Sequence, residues 1–307
     1  MSKLKVVVHL SGGLGNQLFQ FMSGIGLAEE TNRELFVNTN WFSNPLMRYR
    51  NNPAYLIKRR LDILEFTSVA AMKRERFSTP RDGRFERVVS QFTEPMKRIV
   101  GIASEASFQK GQWVQPDKIG RLVGHFMSPK FFLNSSTRGR FQDLVHPLST
   151  WTNQMSKAIS TRPSIGVHIR LGDYVYLGDK VIPSEAYFLT GINYLKSVLG
   201  SDTDVFLFTD EPTLVKERFP RVVNEANIIS PALSITPVEN LILLSRCSSF
   251  VCSNSTYSWW GAHLGDTPKP LIVRPSYFYT AKPELDSHSD LWSVESRKMH
   301  PLSGKHG

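Results

Sequence analysis

Long hydrophobic runs are missing from this 307-residue sequence: no stretch of about 18 apolar residues occurs, which excludes a membrane-spanning helix. The opening MSKLKVVVHL turns strand-like at once and lacks the apolar core and small-residue cleavage site of a signal peptide. The expected location is therefore cytoplasmic, with peripheral contact at the inner membrane surface as the furthest reach. Cysteine is nearly absent. Cys247 and Cys252 bracket a strand-like run, and an extended step of that length separates their α-carbons by roughly 16 Å, too far for a disulfide. They read as two small buried thiols. The eight histidines are scattered, with no CxxC, HExxH or paired His/Cys spacing, so no metal site is expected. Internal repeats and low-complexity segments are also lacking.

What remains is an ordinary globular composition, 41% hydrophobic and 21% charged, long enough for two domains. The formal charge of +10 is unevenly placed. From Arg48 to Arg98 there are 13 Lys+Arg against 6 Asp+Glu, a net of +7. A solvated basic face, an anionic membrane surface and an anionic acceptor all fit that segment. Nucleic acid is not an expected partner, because none of its usual binding motifs accompanies the charge.

Two βα series can be read. Lys5–Leu10 is a β-branched run ending in Ser11-Gly12-Gly13. A helical stretch follows from about Gln17 to Glu30, then a strand at Glu34–Asn38. The basic middle, about 45 to 120, shows no clear period. After Arg162-Pro163 strands are expected at 164–169, 204–208, 249–252 and 270–273, and helices at 184–199, 213–219, 238–246 and 256–264. The fold class is α/β, two Rossmann-like domains with a cleft between them, divided as 1–155, 156–285 and a polar tail, 286–307.

Four strand ends carry chemistry. Ser11-Gly12-Gly13-Leu14-Gly15-Asn16-Gln17 places backbone N–H groups and two amides at a helix mouth. It is neither a dinucleotide fingerprint, since Leu18 stands at the third glycine position, nor a Walker loop. Gly166-Val167-His168-Ile169-Arg170-Leu171-Gly172-Asp173 is a buried strand whose Arg170 emerges at the carboxyl end, where a guanidinium can grip a diphosphate. A local Arg170–Asp173 salt bridge is the competing reading. Phe208-Thr209-Asp210-Glu211-Pro212 ends another strand in acids, and Asp210 is there a ligand contact or an N-cap. Ser253-Asn254-Ser255-Thr256 follows a fourth strand with hydroxyls at a helix start. Trp259 and Trp260 read as packing residues.

Together SGGLGNQLFQF, GVHIRLGDYV and CSNSTYSWWGAHLG resemble the signatures of the alpha-1,2-fucosyltransferases, glycosyltransferase family 11, in the same order across both halves. FTDEP is similar to a stretch found across fucosyltransferases of the two-Rossmann type. The resemblance implies a GT-B-like fold, an acceptor-side N-terminal domain, a C-terminal domain that binds GDP-fucose, and no metal or other cofactor. It implies inverting transfer of L-fucose to the 2-hydroxyl of a galactose-terminated glycan or lipid-linked oligosaccharide. Arg170, Asn16, His168 and Asp173 are the implied catalytic residues. Thr209, Asp210, Asn254, Ser255, Thr256, Asn240 and Gln17 are the implied donor contacts. The sequence departs from the family at two places. Leu171 stands where a second arginine is frequent, and Asn240 stands where relatives carry an acid that reads guanine. No carboxylate stands out as the base. Another donor or linkage, or a sugar-nucleotide binder without turnover, remains open as an alternative.

Overall fold

The computed structural model describes residues 5–43, 59–72, 77–78, 93–132, 141, 143–229, 235–275 and 299–302. Most of the basic segment from Arg48 to Arg98 therefore lies outside the described residues. The chain forms two compact units, Met1–Val145 and His146–Gly307. The division precedes residue 155 because a helix missing from the sequence reading, Thr150–Ser160, packs with the second unit.

In the first unit, β1 (Lys5–His9) buries Val6 and Val8, and α1 (Leu14–Glu30) is buried on nearly every face. An amphipathic surface helix would keep a polar side; here even Gln17, Gln20 and Ser23 are buried. With β2 (Glu34–Asn38), β3 (Phe77–Ser78), β4 (Ile102–Ala103) and β5 (Arg121–Leu122), β1 makes a parallel sheet in the order β3-β2-β1-β5-β4. The order reverses between β1 and β5.

The second unit contains α2 (Thr150–Ser160), β6 (Ser164–Ile169), α3 (Glu185–Leu199) and β7 (Asp204–Thr209), then α4 (Pro212–Arg218), α5 (Pro220–Glu225) and β8 (Asn227–Ile229). It continues with α6 (Pro237–Ser245), β9 (Ser249–Cys252), α7 (Thr256–Leu264), β10 (Leu271–Pro275) and β11 (Met299–Leu302). The sheet is parallel throughout, in the order β8-β7-β6-β9-β10-β11. That is the doubly wound dinucleotide-fold order, with its switch point between β6 and β9. Part of the expected tail is thus a strand on the sheet edge. Helix starts follow local chemistry. Ser184 caps α3, and Thr236-Pro237-Val238-Glu239 forms a capping box for α6. Ile165, Val167, Ile169, Phe188, Leu207 and Val251 centre the core. Cys247 and Cys252 are buried and free, and burial pushes the Cys247 thiol up to about 12.

Candidate functional site

All six residues of β6 are buried, so Arg170 is the first side chain to leave the sheet. Its Nε and Nη2 lie 3.1 and 2.5 Å from Asp173 Oδ1, and its Nη1 lies 2.7 Å from Asp210 Oδ2. The other oxygen of Asp210 accepts the Leu171 N–H at 2.9 Å. The local ion pair and the strand-end position therefore coexist. Asp210 is not the cap of α4; that place belongs to Glu211, whose side chain makes no cap bond. Gly172 has to be glycine here, because a Cβ would collide with the Asp210 carboxylate. Burial works against the Arg170 charge, but Asp210 and then Asp173 outweigh it and hold its pKa above the ordinary value. A guanidinium has five N–H groups. Three are engaged by these contacts, which leaves one on each terminal nitrogen for a ligand.

The turn after β9 meets Arg170 at the switch point. Ser253 Oγ donates to the His168 carbonyl at 2.7 Å and accepts the Arg170 N–H at 3.1 Å. Ser253 was not singled out from sequence; its place one residue past a strand at a switch point was the available signal. His168 is buried, its Nδ1 2.6 Å from Ser258 Oγ and its ring stacked on Tyr257 at 5.0 Å. Burial lowers its pKa to about 3. It is a neutral brace that reaches Arg170 only through Ser253, so the structure does not place it as a group that touches a donor.

The remaining expected donor contacts divide. Asn254 donates its amide to the Val181 carbonyl at 3.0 Å, while its own carbonyl accepts from Tyr174 Oη at 2.6 Å, closing the Gly172–Lys180 segment onto the turn. Ser255 caps α7 by accepting the Tyr257 N–H at 3.2 Å, with Thr256 beside it in the first turn. Thr209 is buried and accepts the Glu211 N–H at 3.2 Å. Asn240 lies in the first half of α6 with its Oδ1 buried and without a hydrogen-bond partner. Neighbouring Glu239 has both oxygens engaged, by Thr236 N–H at 3.2 Å and Ser149 N–H at 2.9 Å. Leu171 is fully buried in the core, so that position offers nothing to a phosphate.

In the first unit Gly12 turns the chain at φ +75, and a Cβ there would lie 2.9 Å from Asn16 Nδ2. Asn16 stays half-buried beside the turn. Gln17 is different from the expectation. It is wholly buried, donating to the Gly12 and Arg60 carbonyls at 3.1 and 2.8 Å and accepting the Ile63 N–H at 3.2 Å. Its amide is saturated by backbone and holds the fold, not a ligand. Gln20, overlooked in the sequence, does the same for Ser11 and Gly124.

The D-x-D run, Asp202-Thr203-Asp204, sits at the amino end of β7. There Asp204 takes two 2.7 Å bonds from Arg162. Among the described residues, no group of three metal-ligating side chains occurs, and no helix is long and apolar enough to cross a membrane.

Residues 144–277 match the sequence profile of Glycosyl transferase family 11. Over that stretch, which is most of the second unit, the chain is similar to the glycosyltransferases of that family. Two relatives from Escherichia coli run nearly full length. An alpha-1,2-colitosyltransferase is 24% identical, with 92% of this chain and 94% of that one covered. The O-antigen biosynthesis glycosyltransferase WbnK is 23% identical, with 92% and 98% covered. Among solved structures, the fucosyltransferase NodZ from Bradyrhizobium is similar at a TM-score of 0.48 and 15% identity, covering 86% of this chain and 94% of that one. The family 11 match spans the Arg170 strand, the Asp210 turn and the Ser253–Thr256 turn, three of the four motif regions described above.

Proposed function

We propose that this chain is a family 11 glycosyltransferase that moves L-fucose from GDP-fucose to the 2-hydroxyl of a galactose-terminated glycan or lipid-linked oligosaccharide, inverting the anomeric carbon. The observation that carries this reading is the Arg170 guanidinium at the switch point of the second unit, held in place by two carboxylates with two N–H groups to offer. Cleavage of the bond to the anomeric carbon leaves negative charge on the departing diphosphate, and a fixed guanidinium is worth most where that charge develops. Ser255 and Thr256 open α7, whose amino end adds partial positive charge. The two acids leave the cluster with a formal charge of −1. Asp210, the one that also holds the Leu171 N–H, is then the group that faces the sugar.

The same residues serve a metal-independent reaction. Asp204 of the D-x-D run is engaged by Arg162 at the opposite edge of the sheet from Arg170. Activity should survive EDTA, and restoration by magnesium or manganese after EDTA would overturn that part.

A second reading, transfer of colitose, is favoured by the colitosyltransferase among the relatives. Product analysis by mass spectrometry and NMR decides between them, using GDP-fucose and a panel of galactose-terminated acceptors. A fucosylated 2-hydroxyl supports the proposal. Product only from a colitosyl donor selects the second reading, and GDP binding with no turnover from any donor leaves a binding protein.

A further inference from the structure

We propose that Asp62 is the base that receives the acceptor hydroxyl's proton, in a site it forms with the glycine turn after β1 and Arg59. The inference rests on the glycosyl-transfer reading above and supplies the carboxylate that the sequence did not reveal.

Asp62 begins a 3-10 turn, Asp62–Glu65, and is 8% exposed. Its Oδ1 is buried without a hydrogen-bond partner. The nearest cation, Arg60 Nε, stands 4.0 Å away, outside hydrogen-bonding range. Native folds rarely leave a buried carboxylate oxygen unpaired unless an ordered water, a ligand or a catalytic role completes it. A carboxylate accepts hydrogen bonds and repels anions, so the partner it suits is a hydroxyl, not a phosphate.

The surroundings place this group at a ligand edge. Gln17 uses a single amide to bind Gly12, Arg60 and Ile63, so the residues on both sides of Asp62 are clamped to the turn at the carboxyl end of β1. That turn lies where the first unit's sheet order reverses, the position at which parallel sheets bind ligands. Gly13 leaves space there: a Cβ would stand 3.9 Å from the Arg59 guanidinium. The competing carboxylate at the same edge is Glu105, and one of its oxygens already accepts the His125 and Phe126 N–H groups at 2.6 and 2.8 Å. Burial raises the Asp62 carboxyl above the ordinary range, with Arg60 and then Arg59 pulling it back. A base is more effective as its pKa approaches the working pH.

In the step itself, the acceptor oxygen forms its bond to the anomeric carbon and loses its proton to the Asp62 carboxylate. The bond from the anomeric carbon to phosphate breaks, and its electron pair leaves with the nucleoside diphosphate. Asp62 then returns the proton to solvent.

The test uses the full chain and compares wild type, Asp62→Asn and Arg60→Gln, with melting temperature, GDP affinity by calorimetry, and kcat/KM against pH for whichever acceptor the wild type uses. Asp62→Asn should fold and bind GDP as wild type does, lose on the order of 100- to 10,000-fold in turnover, and lose the acid limb of the pH profile. Arg60→Gln should keep turnover at its plateau and move the acid limb to higher pH at low salt, because the carboxylate loses a cation that favours its charged form. A folded Asp62→Asn within about threefold of wild type overturns the base. If Asp62→Asn fails to melt cooperatively, an acid limb unmoved in Arg60→Gln overturns it instead. No transfer by the wild type from any donor overturns the parent reading, and this inference falls with it.

Discussion

The turn after β1 and the turn after β9 each border the reversal of strand order in their own sheet and are built from different chemistry. Each leads into a helix. The first is tied by amides. Gln17 and Gln20 reach from inside α1 to Arg60, Ile63 and Gly124, segments far along the chain, while Gly13 at the helix start offers no side-chain cap. The second is tied by hydroxyls. Ser253 joins β9 to β6, Ser255 caps α7 and Ser258 holds His168. A long amide can organise several loops at once but is then used up. A serine hydroxyl such as that of Ser253 joins only adjacent strands and leaves the neighbouring Arg170 side chain accessible. The polar residues of the first turn therefore act mainly on folding, and those of the second on keeping one cation in place.

That contrast breaks most visibly in a pair of variants. Arg170→Ala should lose on the order of 100-fold or more in turnover, the scale of removing one strong charge stabiliser, while melting stays close to wild type. Gln17→Ala should do the reverse. It strands two carbonyls and an N–H, each costing about 1–3 kcal/mol if left buried and unpaired. Its melting temperature should fall, and turnover per folded molecule should drop far less than in Arg170→Ala, only through the loosened segment that carries Asp62. Equal loss of turnover per folded molecule in both would put Gln17 back in the site.

These two residues also mark how far the sequence could be read. Segments such as Ser249–Cys252 and Thr256–Leu264 were legible because an apolar run and a hydroxyl-capped helix each carry their own period. Strands of two residues, β3, β4 and β5, have no period to show, and neither do α5 and β8, six and three residues long. Arg170 could be placed because a charge at the end of a buried strand has nowhere to go but the sheet edge. Asn16 and Gln17 could not be told apart. They are adjacent amides, and only the helix rotation decides that Gln17 points into the interior and Asn16 does not. Asp62 was hidden for a related reason, since its partnerless oxygen is a property of packing and leaves no trace in spacing.

His168 sharpens the comparison through pH. Its pKa falls from the ordinary value near 6.5 to about 3 on folding, mainly through burial. The unfolded chain then binds the extra proton between those limits, and the native state does not. Stability that is complete above the unfolded value is lost as pH falls from there toward 3, by about 1.4 kcal/mol per pH unit from this one group. Denaturant melts at pH 7, 6 and 5 should show the loss, and His168→Gln should flatten it, although at lower stability throughout. An unchanged slope in His168→Gln would mean that the acid sensitivity comes from elsewhere.

The smallest effect belongs to Asn240. Its Oδ1 is buried with no partner, which marks an acceptor waiting for a donor. Guanine presents two adjacent donors, its ring N–H and its amino group, and a carboxylate can accept both where an amide oxygen accepts one. Glu239 cannot supply the second, because the helix cap and Ser149 hold its two oxygens. Asn240→Asp should therefore tighten GDP binding by up to about tenfold, roughly one charge-assisted hydrogen bond, with little change for UDP or ADP. Calorimetry with all three nucleotides measures it at a pH where the new carboxylate is ionised. Unchanged GDP affinity would place the α6 amide outside the base pocket. A wild-type preference for UDP or ADP would go further, because it would remove GDP-fucose as the proposed donor while leaving the proposed role of Arg170 at a diphosphate.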